Sequence, residues 1–201
     1  MVGLCTLSKV SARTLLHTFM HITETEIKGV FIIEPRVFVD ERGSFMELYN
    51  KANYSATGVE YFIQDNISTS KKGVVRGLHF QEAPHAQAKL VSVVVGEVLD
   101  VAVDLRRESP TFGKHVAALL SGENKKQLFI PEGFAHGFMS LSEGATLMYK
   151  CSSPWNKSAE RSIRFDDLEL GIAWPEGETI LSEKDSFAMT FREYKEMLGI
   201  I

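Results

Sequence analysis

The sequence predicts an all-β domain, a sandwich or barrel, with one short helix near the C-terminus. Three observations predict it. Strand-sized runs of apolar and β-branched residues recur at roughly 8–12-residue spacing, which favours packed antiparallel sheets over βαβ units. The six prolines and fifteen glycines are scattered as punctuation, with no linker, repeat or low-complexity tract. The period changes to helical spacing only late, where apolar residues stand at Phe187, Phe191, Tyr194 and Leu198.

The elements follow in order. Gly29–Ile33 is the first strand-like run, followed by Ser44–Tyr49 and by Tyr61–Gln64 leading into Asn66. Ala88–Val95, a turn at Gly96-Glu97, and Val98–Val103 together read as a hairpin. Gln127–Ile130, Phe138–Leu141 and Thr146–Tyr149 continue the series. Phe187–Leu198 is expected to be an amphipathic helix packed on a sheet.

A chain of 201 residues, 44% hydrophobic, is long enough for one domain with a sizeable core, assigned here to residues 21–201. Residues 1–20 lack Asp and Glu and carry Lys9 and Arg13, a faint likeness to a transit peptide. They are read instead as a disordered extension, or as the result of an upstream start codon with Met20 as the true start. The net charge of −4 and the mixed surface give no reason to expect nucleic acid or an anionic membrane as partner. No stretch approaches the ~20 apolar residues of a membrane span. Cys5 and Cys151 lie far apart and outside any CxxC, as expected of reduced thiols in a cytoplasmic protein.

Three stretches place polar groups in strand-like runs, where an inward polar side chain costs free energy unless paired or functional. In Asp40–Glu47, Arg42 precedes a glycine turn, and Phe45 and Glu47 then share a face. Cation, ring and carboxylate within one short reach suit a nucleotide, and equally an ordinary charged turn. In Gly73–Gln81, strand parity pairs Arg76 with Leu78 and His79 with Gln81, although Gly77 can bend the strand. With Lys89 on the next strand, Arg76 and His79 can form a basic pocket in which histidine is the natural general base. In Pro131–Phe138, a Pro-x-Gly turn introduces the strand carrying His136, with Tyr149 following.

Taken together, Asp40–Glu47, Gln64–Ser68, Gly73–Gln81, Lys89–Val91, Asp100–Arg106, Pro131–Phe138, Tyr149-Lys150 and Ser182–Asp185 resemble the dTDP-4-dehydrorhamnose 3,5-epimerase family. They run in that family's order from about Ile22 to Asp185. The resemblance implies a cupin-type jelly roll, a homodimer that exchanges N-terminal strands, no cofactor, and a nucleotide-linked 4-keto-6-deoxy sugar as substrate. It implies that His79, oriented by Asp185, removes the proton, that Tyr149 returns one from the opposite face, and that Lys89 stabilises the charge on the 4-keto oxygen. His136 would line the sugar site, and Arg76 and Arg42 would hold the diphosphate. Phe45, Glu47, Gln64 and Asn66 would bind the nucleoside and nearby groups, some of them from the partner chain.

Two departures bear on this. Trp155 stands where the family has a tyrosine packed on the nucleotide, keeping a ring and losing a hydroxyl. In metal-binding jelly rolls of this class a His-x-His pair supplies two ligands; here the second position is Gln81, and His85 has the wrong spacing, so no metal is expected. Two other readings use the same residues: an epimerase acting at C3 or C5 alone or on another nucleotide or a heptose, and a non-enzymatic sugar-nucleotide-binding or metal cupin.

Overall fold

The computed structural model describes residues 20–201, so the expectations for the N-terminal extension and for Cys5 lie outside the described residues. The chain opens with β1 (His21–Glu24) and β2 (Phe31–Glu34), then a separate hairpin of β3 (Val37–Asp40) and β4 (Gly43–Met46). There follow β5 (Gln64–Lys71), β6 (Val75–Gln81), β7 (Lys89–Val95), β8 (Glu97–Asp104) and β9 (His115–Ser121). Next come β10 (Gln127–Ile130), β11 (Phe134–Ser140), β12 (Gly144–Cys151) and β13 (Glu160–Ser162). Two short helices close the chain, α1 (Glu183–Ser186) and α2 (Phe191–Met197).

The strands form two facing sheets in a jelly roll: six strands in the order β1-β2-β10-β7-β12-β5, and five in the order β13-β6-β11-β8-β9. Every strand pairing is antiparallel. The core lies in three layers. Val91, Leu128 and Leu147 of the larger sheet meet Val98, Ala102, Leu120 and Phe134 of the smaller one between the sheets. The outer face of the smaller sheet, with Leu78, Val101 and Ala135, is covered by Ile163, Leu170 and the α2 residues Phe191 and Tyr194. The outer face of the larger sheet, with Ile33, Leu90 and Phe129, is covered by Tyr54 and its neighbours Tyr49 and Phe62.

Double coverage explains why β11 is buried along its whole length, His136 and Ser140 included. The expected Phe138–Leu141 strand is therefore the far end of a longer one. The Tyr61–Gln64 expectation shifts: the strand starts only at Gln64, and Tyr61 and Ile63 are exposed. The late helix is shorter than its apolar spacing implied. Thr190 caps it with a full capping box involving Glu193, and Phe187, four residues before Phe191, is 82% exposed rather than part of the packed face.

Candidate active site

One end of the space between the sheets is not filled. A cavity of about 400 Å³ opens there, lined by His79 and Gln81 of β6, Lys89 of β7, Tyr149 and Cys151 of β12, Gln64 and Asn66 of β5, and the loop residue Trp155. The lining follows from register. On the larger sheet Asn66 stands opposite Tyr149, Gln64 opposite Cys151, and Cys151 opposite Lys89, so all five side chains share the inner face.

On the smaller sheet the parity of β6 breaks. His79 pairs with His136, and Arg76 pairs with Phe138, so three residues of β6 span two of β11. This bulge puts Arg76 on the inner face beside His79, and sends Leu78 to the outer layer. The simple alternation that grouped Arg76 with Leu78 therefore fails. Gly77 makes the bulge possible. Its φ is +123°, and a Cβ there would lie 2.5 Å from the Gly137 Cα and 2.7 Å from the His136 carbonyl oxygen.

His79 Nε2–H donates to Asp185 Oδ1 at 2.5 Å, which leaves Nδ1 as the ring nitrogen with a free lone pair. Asp185 is 5% exposed and is set by α1, where the Ser182 hydroxyl accepts from the Asp185 N–H at 3.1 Å. Burial alone would push its pKa up, but the His79 hydrogen bond and charge, with Ser182 and Lys184, prevail and hold the carboxyl below the usual carboxylate range. Asp185 is thus an anion able to orient the imidazole and stabilise its protonated form.

Next to this dyad lies a second. His136 Nε2 sits 3.0 Å and 3.1 Å from the two carboxylate oxygens of the fully buried Asp100. Burial, ahead of the opposing Asp100 carboxylate, pushes the His136 value down, and the charges of Lys89 and His79 add to that. Lys89, 9% exposed, is likewise pushed down by burial, against the attraction of Cys151, Asp100 and Glu160. Among the described residues its ammonium makes no ion pair in contact.

Tyr149, on the same sheet as Lys89, faces the two histidines of the smaller sheet, its ring 6.4 Å from that of His136 at 62°. Burial pushes its hydroxyl up, so it keeps its proton across the neutral range; Arg76 opposes the shift. Arg76 itself reaches Ser70 Oγ at 3.1 Å on β5, bridging the sheets.

Three residues expected at the site are elsewhere in this chain. Arg42 and Phe45 line a separate surface cavity on the β3–β4 hairpin, where Arg42 pairs with Asp40 at 2.5 Å and Phe45 is 69% exposed. Glu47 accepts from Asn53 at 2.7 Å and Asn50 at 3.1 Å. Conversely, Glu160 also lines the cavity and pairs with Lys184 at 2.7 Å, and neither residue carried a motif of its own. Lys184 adjoins Asp185 in sequence, but Glu160 reaches the site only because β13 pairs with β6, where it stands opposite Gln81.

A cavity that carries a base oriented by a carboxylate, an opposed phenol, and a buried lysine can remove and return a proton at carbon beside a carbonyl. Known proteins with this architecture are close at hand. The sequence model of the family described as dTDP-4-dehydrorhamnose 3,5-epimerase matches residues 24–193. The enzyme of that name from Shigella flexneri is 54% identical over 168 residues, covering 83% of this chain and 93% of its own. The crystal structure of dTDP-6-deoxy-D-glucose-3,5-epimerase from Legionella pneumophila, in complex with dTDP-4-keto-L-rhamnose, is 48% identical with a TM-score of 0.86, covering 89% of this chain and 96% of its own. ChmJ from Streptomyces bikiniensis, described as a 3'-monoepimerase and bound to dTDP-quinovose, is 35% identical with a TM-score of 0.81, covering 88% and 90%.

Proposed function

The chain belongs to the dTDP-4-dehydrorhamnose 3,5-epimerase family, and on that premise we propose that His79, Tyr149 and Lys89 carry out its epimerisation inside the cavity between the sheets. The enzyme is an isomerase that inverts C3 and C5 of dTDP-4-keto-6-deoxyglucose, giving dTDP-4-keto-rhamnose. The roles follow from charge and geometry. A C–H beside the ketone is acidic because its anion spreads onto oxygen as an enolate. His79 Nδ1 takes that proton, and Asp185 stabilises the imidazolium formed. Lys89 meets the charge on the 4-oxygen; a preorganised group so aimed contributes about 3 kcal/mol. Tyr149 protonates the carbon from the opposite wall, since return to the same face only regenerates substrate.

His136 lines the sugar end, Arg76 holds the diphosphate, and Gln64, Asn66 and Trp155 hold the nucleoside. Arg42, Phe45 and Glu47 act on the cavity of a second copy, which makes the enzyme a homodimer. It works without a cofactor, in the cytoplasm. Among the described residues no helix is long and apolar enough to cross a membrane.

The observation that carries the residue roles is the opposition of the His79–Asp185 dyad on one sheet and Tyr149 on the other, across one cavity. Proton NMR of dTDP-4-keto-6-deoxyglucose in D₂O tests it. Wild-type protein should place deuterium at both C3 and C5. His79→Ala should place it at neither, and Tyr149→Phe should still exchange while net inversion slows roughly 10²-fold or more. Wash-in at one carbon alone would reduce the enzyme to a monoepimerase, and wild-type exchange by His79→Ala would end the assignment of the base.

A further inference from the structure

The rim of the cavity is held by a side chain to which the reaction assigns no role. Gln81 is 6% exposed, yet it makes no side-chain bond to any strand. Its Nε2 donates to the His85 carbonyl at 2.7 Å and to the Pro154 carbonyl at 3.2 Å, and its Oε1 accepts from the Asn156 N–H at 2.6 Å. Two of the three bonds therefore bracket Trp155, to the residue before it and the residue after it. The N–H of Trp155 itself donates at 2.8 Å to Gln64 Oε1, from the facing sheet. A third tie joins the loops, where Asn156 Nδ2 lies 3.3 Å from His85 Nε2.

The segment 154–156 is thus suspended across the mouth by two inward glutamines, one from each sheet. What it suspends is a ring, 56% exposed, at the edge of the cavity. The same rim carries Glu160, which stands opposite Gln81 on the adjoining strand. At the mouth of the cavity the exposed indole offers a planar apolar face. A planar base presents an apolar face to such a ring and gains roughly 1–3 kcal/mol by stacking.

We propose that Gln81 is a positioning residue for the nucleotide: by bridging Pro154 and Asn156 it holds Trp155 as a fixed wall on which the base of the dTDP-sugar is seated. This rests on the reading of the cavity as the dTDP-sugar site. It also accounts for an amide at position 81. Glutamate keeps the acceptor for Asn156 but loses both donations, and leucine loses all three bonds. The bridge acts on ground state and transition state alike, because the base does not take part in the proton transfers. Removing it therefore raises KM and leaves kcat little changed.

The test is a double-mutant cycle on dTDP binding and on turnover, with Gln81→Leu, Gln81→Glu, Trp155→Ala and Gln81→Leu/Trp155→Ala. Binding of dTDP is followed by calorimetry, and ring engagement by quenching of tryptophan emission, since the chain holds only two tryptophans. Gln81→Leu should weaken dTDP binding and raise KM roughly tenfold, the equivalent of one lost net hydrogen bond or slightly more. Its kcat should stay within about threefold, and the dTDP-induced quench should shrink. Gln81→Glu should fall between Leu and wild type, and it carries the test should Gln81→Leu fail to fold. In the Trp155→Ala background, loss of Gln81 should cost little more, because there is no ring left to place.

Unchanged dTDP affinity in both Gln81 variants, additive effects in the cycle, or a fall in kcat at constant KM would each overturn the role. Wild-type protein that neither binds dTDP nor turns over the sugar would remove the underlying reading as well. Wild-type binding and turnover beside a silent Gln81→Glu and Gln81→Leu would remove this inference alone.

Discussion

Lys89 and Tyr149 show how one buried wall tunes two groups in opposite directions. Burial disfavours the charged form of each, so it lowers the lysine and raises the tyrosine. Loss of the Lys89 proton at a lowered pH would remove the charge proposed to hold the enolate, while Tyr149 keeps its proton to higher pH than a free phenol. The alkaline limb of kcat should therefore be that of Lys89. Lys89→Arg, which stays protonated throughout, should lower kcat yet move the alkaline limb of what remains to higher pH. Stability runs the other way. Between the lowered Lys89 value and the ordinary lysine value the unfolded chain binds more protons than the folded one, so this lysine's contribution to stability rises with pH until the unfolded lysine has also lost its proton. A pH series of urea melts beside the rate profile separates the two: a limb that tracks unfolding, or that stays in place in Lys89→Arg, would sink the assignment. At this scale the sequence was partly legible. Polar side chains inside strand-like runs exposed Arg76, His79 and Lys89, because burial of such groups demands a reason. Tyr149 and Asp185 came only from resemblance, since a lone tyrosine or a helix-turn aspartate is unremarkable in one dimension. Asp100 was quoted only as part of a matching stretch; its bonds to His136 join residues 36 positions apart, a contact no local pattern records.

At the scale of single elements, the site depends on the bulge in β6. It brings Arg76 and His79 to one face despite their odd spacing, and it requires Gly77 and Gly137 back to back. Gly77→Ala combines a left-handed backbone with a Cβ pressed on neighbouring backbone, where no flexible side chain can give way. The expected loss is roughly 2–6 kcal/mol, from about 1–3 of backbone strain and a similar overpacking cost. Gly144→Ala serves as a control: its Cβ meets nothing within 4 Å, and the change should stay within about 1 kcal/mol. Urea midpoints measure both, and equal midpoints would show that β6 accommodates a side chain at 77 by sliding. The sequence revealed that Gly77 could bend the strand, without showing in which direction. Other elements were legible to the extent that tertiary coverage left alternation intact. β7 and β8, with their turn, stood close to where they were expected. β9 was passed over although its run is apolar, and β13 is three residues long, a strand only because β6 lies beside it. The apolar spacing from Phe187 placed the late helix too early; the capping box at Thr190 and Glu193 marks the true start.

At the scale of the whole molecule, the β3–β4 hairpin belongs to neither sheet and leaves Phe38, Val39 and Phe45 exposed at 46%, 59% and 69%. Arg36 lies over the Phe38 ring at 4.3 Å, and Phe38 and Phe45 are 6.2 Å apart, so the hairpin is an apolar finger whose tip carries the Arg42–Asp40 ion pair. Among the described residues of one chain nothing covers it, and the residues matched to nucleotide binding by resemblance sit on it, outside the chain's own cavity. Both facts are accounted for together if the finger lies on a second copy, with a two-fold axis placing each hairpin over the other's site. Complementation measures this. His79→Ala and Arg42→Ala/Phe45→Ala should each be nearly inactive alone. Refolded together in equal amounts they should recover about a quarter of wild-type activity, because about half the dimers are mixed and each mixed dimer holds one intact site. Sedimentation should find twice the monomer mass in both variants and in the mixture. No recovery on mixing, with dimers present, would mean that each hairpin serves its own chain. Its aromatic face would then need another cover, and the partner's Arg42 would have no part in holding the diphosphate beside Arg76.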